Sequence, residues 1–302
     1  MINVDALATC FSSSACLVNQ LSSGLIIGML LFLVASGVTL IFGVLGVINF
    51  AHGTFYMLGA YFAYTAYAVT GSYFVSAIVG ALGAAVFGVL FERLIISRVY
   101  GENVLMQLLV CYAFILIMDD VVKIVYGAEY LSMGIPEVFR VPPLRVGGGF
   151  VPPFYVFMVA VTVVIAIASV LIIERTRFGK VVRAAAHNQT MVSVLGINVP
   201  LYFALLFGFG CALAGIAGAL AAPVRSLTPG MGIGILIESF IVTVIGGMGS
   251  IVGAFLAALI LGLVRSIGGI GFPLFVDGAM FMIMALVLIV RPQGLLGRGE
   301  VR

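Results

Sequence analysis

The chain has 302 residues, of which 63% are hydrophobic and only 8% charged, and its formal net charge is +3. Soluble domains carry about 25% charged residues, so this balance excludes a water-soluble globule and indicates an all-α, polytopic membrane protein. A transmembrane barrel is excluded as well. Its strands would read as alternating segments of about ten residues, whereas the apolar runs here are continuous and about 20 long.

Residues 1–21 read as a short polar tail. The first 20 positions hold no Lys or Arg, so the basic start of a secretory signal is missing and the first span is expected to stay in the mature protein. Apolar runs follow at 22–46, 50–70, 73–91, 104–126, 151–173 and 200–222, then at 235–248, 251–267 and 272–290. The run at 235–248 is short for a crossing, which takes roughly 20 residues. Gly246, Gly247 and Gly249 break the chain just beyond it, the look of a discontinuous or re-entrant helix near a transport path. The expectation is a single domain over 1–302 with about eight full spans and one short or broken helix.

Between the runs, Gly43–Gly53 is a glycine-punctuated connection, 92–102 is polar, and 127–150 is a Pro- and Gly-rich ordered external loop. Residues Glu174–Gly196 are the long polar island of the chain. It packs Arg175, Arg177, Lys180 and Arg183 against the single acid Glu174, and a segment of that polarity cannot be left in lipid. Lys180, Arg183, Ala184 and His187 share one helical face, with Val181, Val182 and Ala185 opposite. Asn188 or Thr190 can cap a second short helix that Gly196 ends. Two capped amphipathic turns make a docking surface rather than a tether.

With this island in the cytoplasm, Arg93, Arg98, Arg175, Arg177, Lys180, Arg183, Arg291, Arg298 and Arg302 fall inside. Arg140, Arg145, Arg225 and Arg265 fall outside, with Lys123 undecided. The positive-inside bias then places the N-terminus outside and the C-terminus in the cytoplasm. Cys10 and Cys16 come to lie outside, where a disulfide is permitted. Cys111 and Cys211, inside apolar runs, read as packing residues.

Several residues are candidates for chemistry. Asp119 and Lys123 are four apart on a helix and can pair, next to Asp120, at the outer interface. Glu238 has no basic neighbour at helical spacing and sits at the external mouth or on the solute path. Asp277 and Arg265 flank the last external turn. His52, in the Asn49–Gly53 turn, is a gate or a packing element, and no other group completes a metal or nucleophile set around it. No phosphate-binding loop of the GxxxxGK[ST] type is present, since Gly179-Lys180 is followed by Val and lacks the preceding Gly. If ATP powers transport, another subunit must supply it. A proton-coupled secondary carrier would instead need Asp119, Asp120 or Glu238 as its proton site, and a channel would show downhill flux only.

Four strings carry a family resemblance: GLIIGMLLFLVASGVTLIFGVLGVINFAHGTFYMLGAY (24–61), RTRFGKVVRAAAHNQTMVSVLGINV (175–199), VIGGMGSIVGAFLAALILGLV (244–264) and RPQGLLG (291–297). In this order, over essentially the whole chain, they resemble the shorter permease of bacterial high-affinity branched-chain amino acid ABC importers. Importers of urea, amides and aromatic acids share the family. The resemblance implies a bacterial inner-membrane protein working with a second homologous permease, two ATPase subunits that bind the ATP, and a periplasmic solute-binding protein. No cofactor of its own and no nucleic acid are implied. It also implies that the loop 174–198 docks into the ATPase, with Arg175, Arg177, Gly179, Arg183, Ala184 and Gly196 at the coupling positions. The loop departs from the general importer signature, with Ala184-Ala185-Ala186 and Thr190 where a Glu and a central Gly are usual. Pathway candidates are Asn49, His52, Gly53, Glu238, Gly246, Gly247 and Gly249.

Overall fold

A computed structural model describes residues 4–297; Arg298 and Arg302, two of the basic residues assigned to the inner side, lie outside the described residues. In chain order the helices are α1 (Val4–Ser12), α2 (Ser14–Leu45), α3 (His52–Thr70), α4 (Tyr73–Leu94), α5 (Val104–Tyr126) and α6 (Pro153–Arg175). They continue with α7 (Arg177–His187), α8 (Gln189–Val194), α9 (Val199–Ala221), α10 (Met231–Gly246), α11 (Ile251–Gly271) and α12 (Val276–Val290). Among the described residues, six helical segments are long and apolar enough to cross a membrane: α2, α4 with its continuation to Arg98, α6, α9, α11 and Pro273–Val290. The protein is therefore a polytopic helical membrane protein. Helices α3 and α5 fall outside that set. The first carries His52 and the tyrosines Tyr56, Tyr61, Tyr64 and Tyr67, and the second carries Asp119, Asp120 and Lys123.

The tail differs from its sequence reading, being helical. Helix α2 starts at Ser14 and runs 32 residues, about 48 Å at 1.5 Å per residue. It therefore projects well beyond a hydrocarbon slab of about 30 Å. Ser13 caps it by accepting from the Cys16 amide at 3.4 Å, and the Cys10–Cys16 disulfide clamps α1 to its first turn, Cα to Cα 5.2 Å.

The all-α expectation also misses a small hairpin inside the 127–150 link. Strands β1 (Leu144–Val146) and β2 (Gly149–Val151) pair antiparallel around Gly147 and Gly148, whose φ angles are 52° and 84°. Two consecutive positive φ values match the twist of paired strands. The Phe150 amide donates to Asn19 Oδ1 at 3.0 Å, which ties the hairpin to the start of α2.

Helices α2, α3, α9 and α11 form the core of the bundle, with α2 lying along α11, and α9 along α3 and α4. Without a hydrophobic drive between helices in lipid, close backbone approach is what holds such pairs. A β-carbon at Gly28 would sit 2.8 Å from the Ala258 carbonyl, and one at Gly43 would sit 2.8 Å from the Gly249 Cα. Thr39 Oγ1 meets Thr243 Oγ1 at 3.3 Å, both buried, and joins α2 to α10. Cys111 and Cys211 are buried free thiols. Lys123 pairs with Asp120 at 2.8 Å rather than with Asp119, because three residues on a helix bring these two side chains together as well as four do. Asp119 turns inward and is buried.

Candidate functional site

The polar island forms a helical hairpin packed onto the end of the bundle. Thr176 Oγ1 starts α7 by accepting from the Gly179 amide at 3.2 Å. Asn188 ends α7 through its amide to Ala184 O and caps α8 by accepting from the Met191 amide at 3.0 Å. One asparagine thus serves both helices, the first of the two candidates named from sequence. Gly196, at φ 78°, closes the hairpin in a backbone conformation that a side chain resists.

Amphipathicity decides which face is seated. Phe178, Val182 and Ala185 turn inward: Val182 against Leu40, Ile173, Leu206 and Leu213, and Ala185 against Val192, Val199 and Phe203. The Phe178 ring stacks on Tyr202 at 5.9 Å between centroids. Lys180, Arg183, Ala184 and His187 occupy the exposed face, as their spacing requires. The positions expected to couple then divide. Arg175, Arg177 and Ala184 are exposed, while Gly179 is buried against α6, where a β-carbon would overlap the Ile173 carbonyl oxygen. Arg183 reaches back, donating from Nη1 to Ile173 O and from Nη2 to Glu174 O at 3.4 Å.

Two groups near the hairpin were not singled out from sequence. Met191, Val194 and Leu195 stand 66%, 77% and 76% exposed, an apolar knob at the tip of an otherwise polar hairpin. The string MVSVL carried that signal, but its direction did not follow from sequence. Tyr100, from the 92–102 connection, packs against the Ala185–Val192 cluster and donates from its hydroxyl to Glu92 Oε1 at 2.9 Å. Burial first, and the neighbouring Glu92 carboxylate second, hold this hydroxyl above its ordinary range, so it remains a donor.

A cavity of about 770 Å³ opens beside the hairpin. Its walls include Thr39 and Gly43 of α2, Ile173 of α6, Arg183 of α7, Gly249 and Leu296. The glycine break after α10 and helix α7 thus share one cavity, with Arg183 and Gly249 on its walls although they lie 66 positions apart. The stretch after Arg291 closes this end. The Leu295 and Leu296 amides donate to Ile245 O at 2.8 Å and Gly246 O at 3.1 Å, satisfying carbonyls that the end of α10 leaves free.

The other pathway candidates lie in packed positions. Gly246 rests on Gly253 and Ala254, Gly247 on Gly294 and Gly297, and Gly53 on Gly232. His52 is fully buried, its ring filling the notch that Gly37 leaves in α2. Asn49 is buried too, and its Oδ1 accepts from the Ala51 amide at 3.0 Å to turn the chain into α3. Among the described residues no group of three or more His, Cys, Asp or Glu is placed to hold a metal.

A second cavity, of about 230 Å³, lies between α3, α9, α10, α11 and the 222–230 connection. Here Glu238 meets a basic partner that helical spacing on its own helix did not provide: Arg265, from α11, forms an ion pair with it. Arg225 and Tyr56 line the same space.

Comparison with known proteins gives a consistent result. Residues 20–291 match the family model described as branched-chain amino acid transport system / permease component. The chain is 32% identical over 295 residues to the high-affinity branched-chain amino acid transport system permease protein BraD of Pseudomonas aeruginosa, covering 93% of this chain and 96% of that one. It is 31% identical over 297 residues to the permease protein LivH of Escherichia coli (strain K12), with the same coverage. It is 27% identical over 307 residues to the probable branched-chain amino acid transport permease protein LivH of Methanocaldococcus jannaschii, covering 92% and 91%. No solved structure matches the chain.

Proposed function

The chain belongs to the family of permease components of branched-chain amino acid transport systems, and from that premise we propose that it carries branched-chain or similar hydrophobic amino acids across the bacterial inner membrane by alternating access. It works in a complex with a second homologous permease, two ATPase subunits that bind and hydrolyse the ATP, and a periplasmic solute-binding protein. It needs no cofactor of its own. All 302 residues act as one permease domain. Helices α3 and α5 complete a set of eight spans, with α10 as the short ninth element. The N-terminus is outside and the C-terminus is cytoplasmic, so the α7–α8 hairpin faces the ATPase.

The observation that carries this reading is the seat of the hairpin. It is not a free loop: its apolar face is buried against α2, α6 and α9, its polar face and apolar tip are presented outward, and Arg183 lines the larger cavity. A push on this hairpin is therefore delivered to the helices around that cavity. Closure of the ATPase dimer moves the two hairpins, and the spans rock with them. Glu238 and Gly249 line the two cavities and are the pathway candidates that this mechanism retains.

Recovery of the tagged chain in mild detergent, identification of its co-purifying subunits and reconstitution in liposomes test the reading. Uptake of leucine that needs both ATP and the binding protein is the expected result. Uptake driven by a pH gradient without ATP would replace it with a secondary carrier.

A further inference from the structure

We propose that the cavity bounded by Tyr56, Arg225, Glu238 and Arg265 binds one zwitterionic amino acid in transit, its carboxylate held by Arg225 and its ammonium by the free oxygen of Glu238. This inference rests on the importer reading above and adds to it the site and the two groups recognised.

The charges set the chemistry. Two guanidiniums and one carboxylate line the space, so the lining carries one positive charge in excess, which favours a ligand bearing a carboxylate. Arg225 is the guanidinium left for it, since Arg265 is committed to Glu238. Tyr56, itself buried, lines the cavity together with Arg225. Asp277, at the start of α12, is the further acid within electrostatic reach of Arg265, but it does not line the cavity.

Glu238 has acceptor capacity that its ion pair does not use. A buried carboxylate oxygen left unpaired keeps its desolvation cost until a donor reaches it. One oxygen of Glu238 faces Arg265, and the other, Oε2, is buried without a hydrogen-bond partner. An ammonium group supplies up to three donors and satisfies it. Apart from Ser226 the remaining wall is apolar, with Ala60, Gly218, Ala221, Met231 and Ile235 among its residues, suited to an aliphatic side chain. The volume of about 230 Å³ is below the roughly 300–1,000 Å³ of drug-sized sites, as a single amino acid requires.

The test uses the complete complex of permeases and ATPases in nanodiscs, without the binding protein, and measures binding of tritiated leucine. Saturable binding is expected, displaced by isoleucine but not by 4-methylpentanoate, which lacks the amine, or by isoamylamine, which lacks the carboxylate. Glu238→Gln and Arg225→Gln should each weaken it at least tenfold. The charge exchange Glu238→Arg with Arg265→Glu should not restore it, whereas a structural pair would tolerate the exchange. Equal displacement by either analogue, or restored binding in the exchanged variant, overturns the inference. So does a complex that imports leucine with its binding protein yet shows no displaceable binding here. Absence of leucine import altogether is a different result and removes the importer reading itself, with this inference. Competition on the unsubstituted complex does not depend on whether any variant folds.

Discussion

Arg183 donates to the main-chain carbonyl of Ile173, ten residues back and across the turn between α6 and α7. The last carbonyls of a helix have no intrahelical partner, and a cation placed there is favoured by the helix dipole as well. Gly179, one turn earlier on α7, rests against the same carbonyl. Arg183 is therefore first a strut that fixes the angle between α6 and α7, and only its exposed remainder is available to another protein.

Arg183→Ala should uncouple the importer while leaving it in the membrane. A hydrogen bond involving a charged group contributes about 1.5–3 kcal/mol, enough to let α7 sample other angles without unseating its apolar face. The expected result is at least a tenfold fall in binding-protein-stimulated ATP hydrolysis in liposomes. Arg183→Lys should recover part of it, since one ammonium can still reach the carbonyl. Arg177→Ala, on the exposed start of α7, removes an outward contact but no strut, so its effect should be on ATPase affinity. Stimulation in Arg183→Ala equal to the unsubstituted level would remove the strut from the mechanism.

Gly179→Ala tests the close approach itself. The added methyl has nowhere to go, because the obstacle is backbone rather than a flexible side chain. Overpacking of this kind costs about 1–3 kcal/mol. The melting temperature of the purified complex should fall, and the loss should exceed that of Ala184→Gly, which lies on the exposed face. Helix propensity alone makes Gly179→Ala favourable by about 1 kcal/mol, so the sign of the measured change separates the two effects.

The knob on α8 should govern assembly rather than folding. Met191, Val194 and Leu195 are exposed at an end of the molecule assigned to water, not lipid, and apolar groups left in water mark a contact surface. Replacing Met191 and Leu195 with Ser should leave expression and melting of the isolated permease unchanged and weaken recovery of the ATPase by at least tenfold in co-purification. Recovery at the unsubstituted level would place the docking energy on the arginines.

Much of this architecture was legible because membrane helices announce themselves by length. The runs at 104–126, 151–173 and 200–222 fall within two residues of α5, α6 and α9, since a lipid-facing segment has no alternative to internal hydrogen bonding. The hairpin was legible as well, through Asn188, Gly196 and the period of Val182 and Ala185. What sequence could not supply was partnership across helices. Glu238 had no cation on its own helix, and Arg265, 27 positions on, becomes its partner only when α10 and α11 pack together. The helical tail was missed for a different reason: residues 4–21 are too polar for a span, and their helix is held by a disulfide and by the excess length of α2 rather than by lipid.

Tyr100 packs against the hairpin as well, and its role can be separated from simple packing. Its ring sits against the cluster of Ala185 and Val192, while its hydroxyl serves Glu92 at 2.9 Å. Glu92 is almost fully buried, and its second oxygen, Oε2, has no hydrogen-bond partner. Tyr100→Phe keeps the ring and removes the donor, leaving a buried carboxylate with neither oxygen satisfied, at a cost of about 1–3 kcal/mol or more for a charged group. The melting temperature should drop, and coupling should weaken as the seat of α7 loosens. Because the hydroxyl is held above its ordinary titration range, neither property should depend on this group between pH 6 and 9. The discriminating variant adds Glu92→Met to Tyr100→Phe. If the damage comes from an orphaned carboxylate, the double variant regains stability over the single one, since removing both partners of a buried polar pair can be nearly neutral. If Glu92 has a further partner that matters more, the second substitution adds to the first. A melting temperature of the double variant below that of Tyr100→Phe would therefore show that Tyr100 is not what holds Glu92 in place.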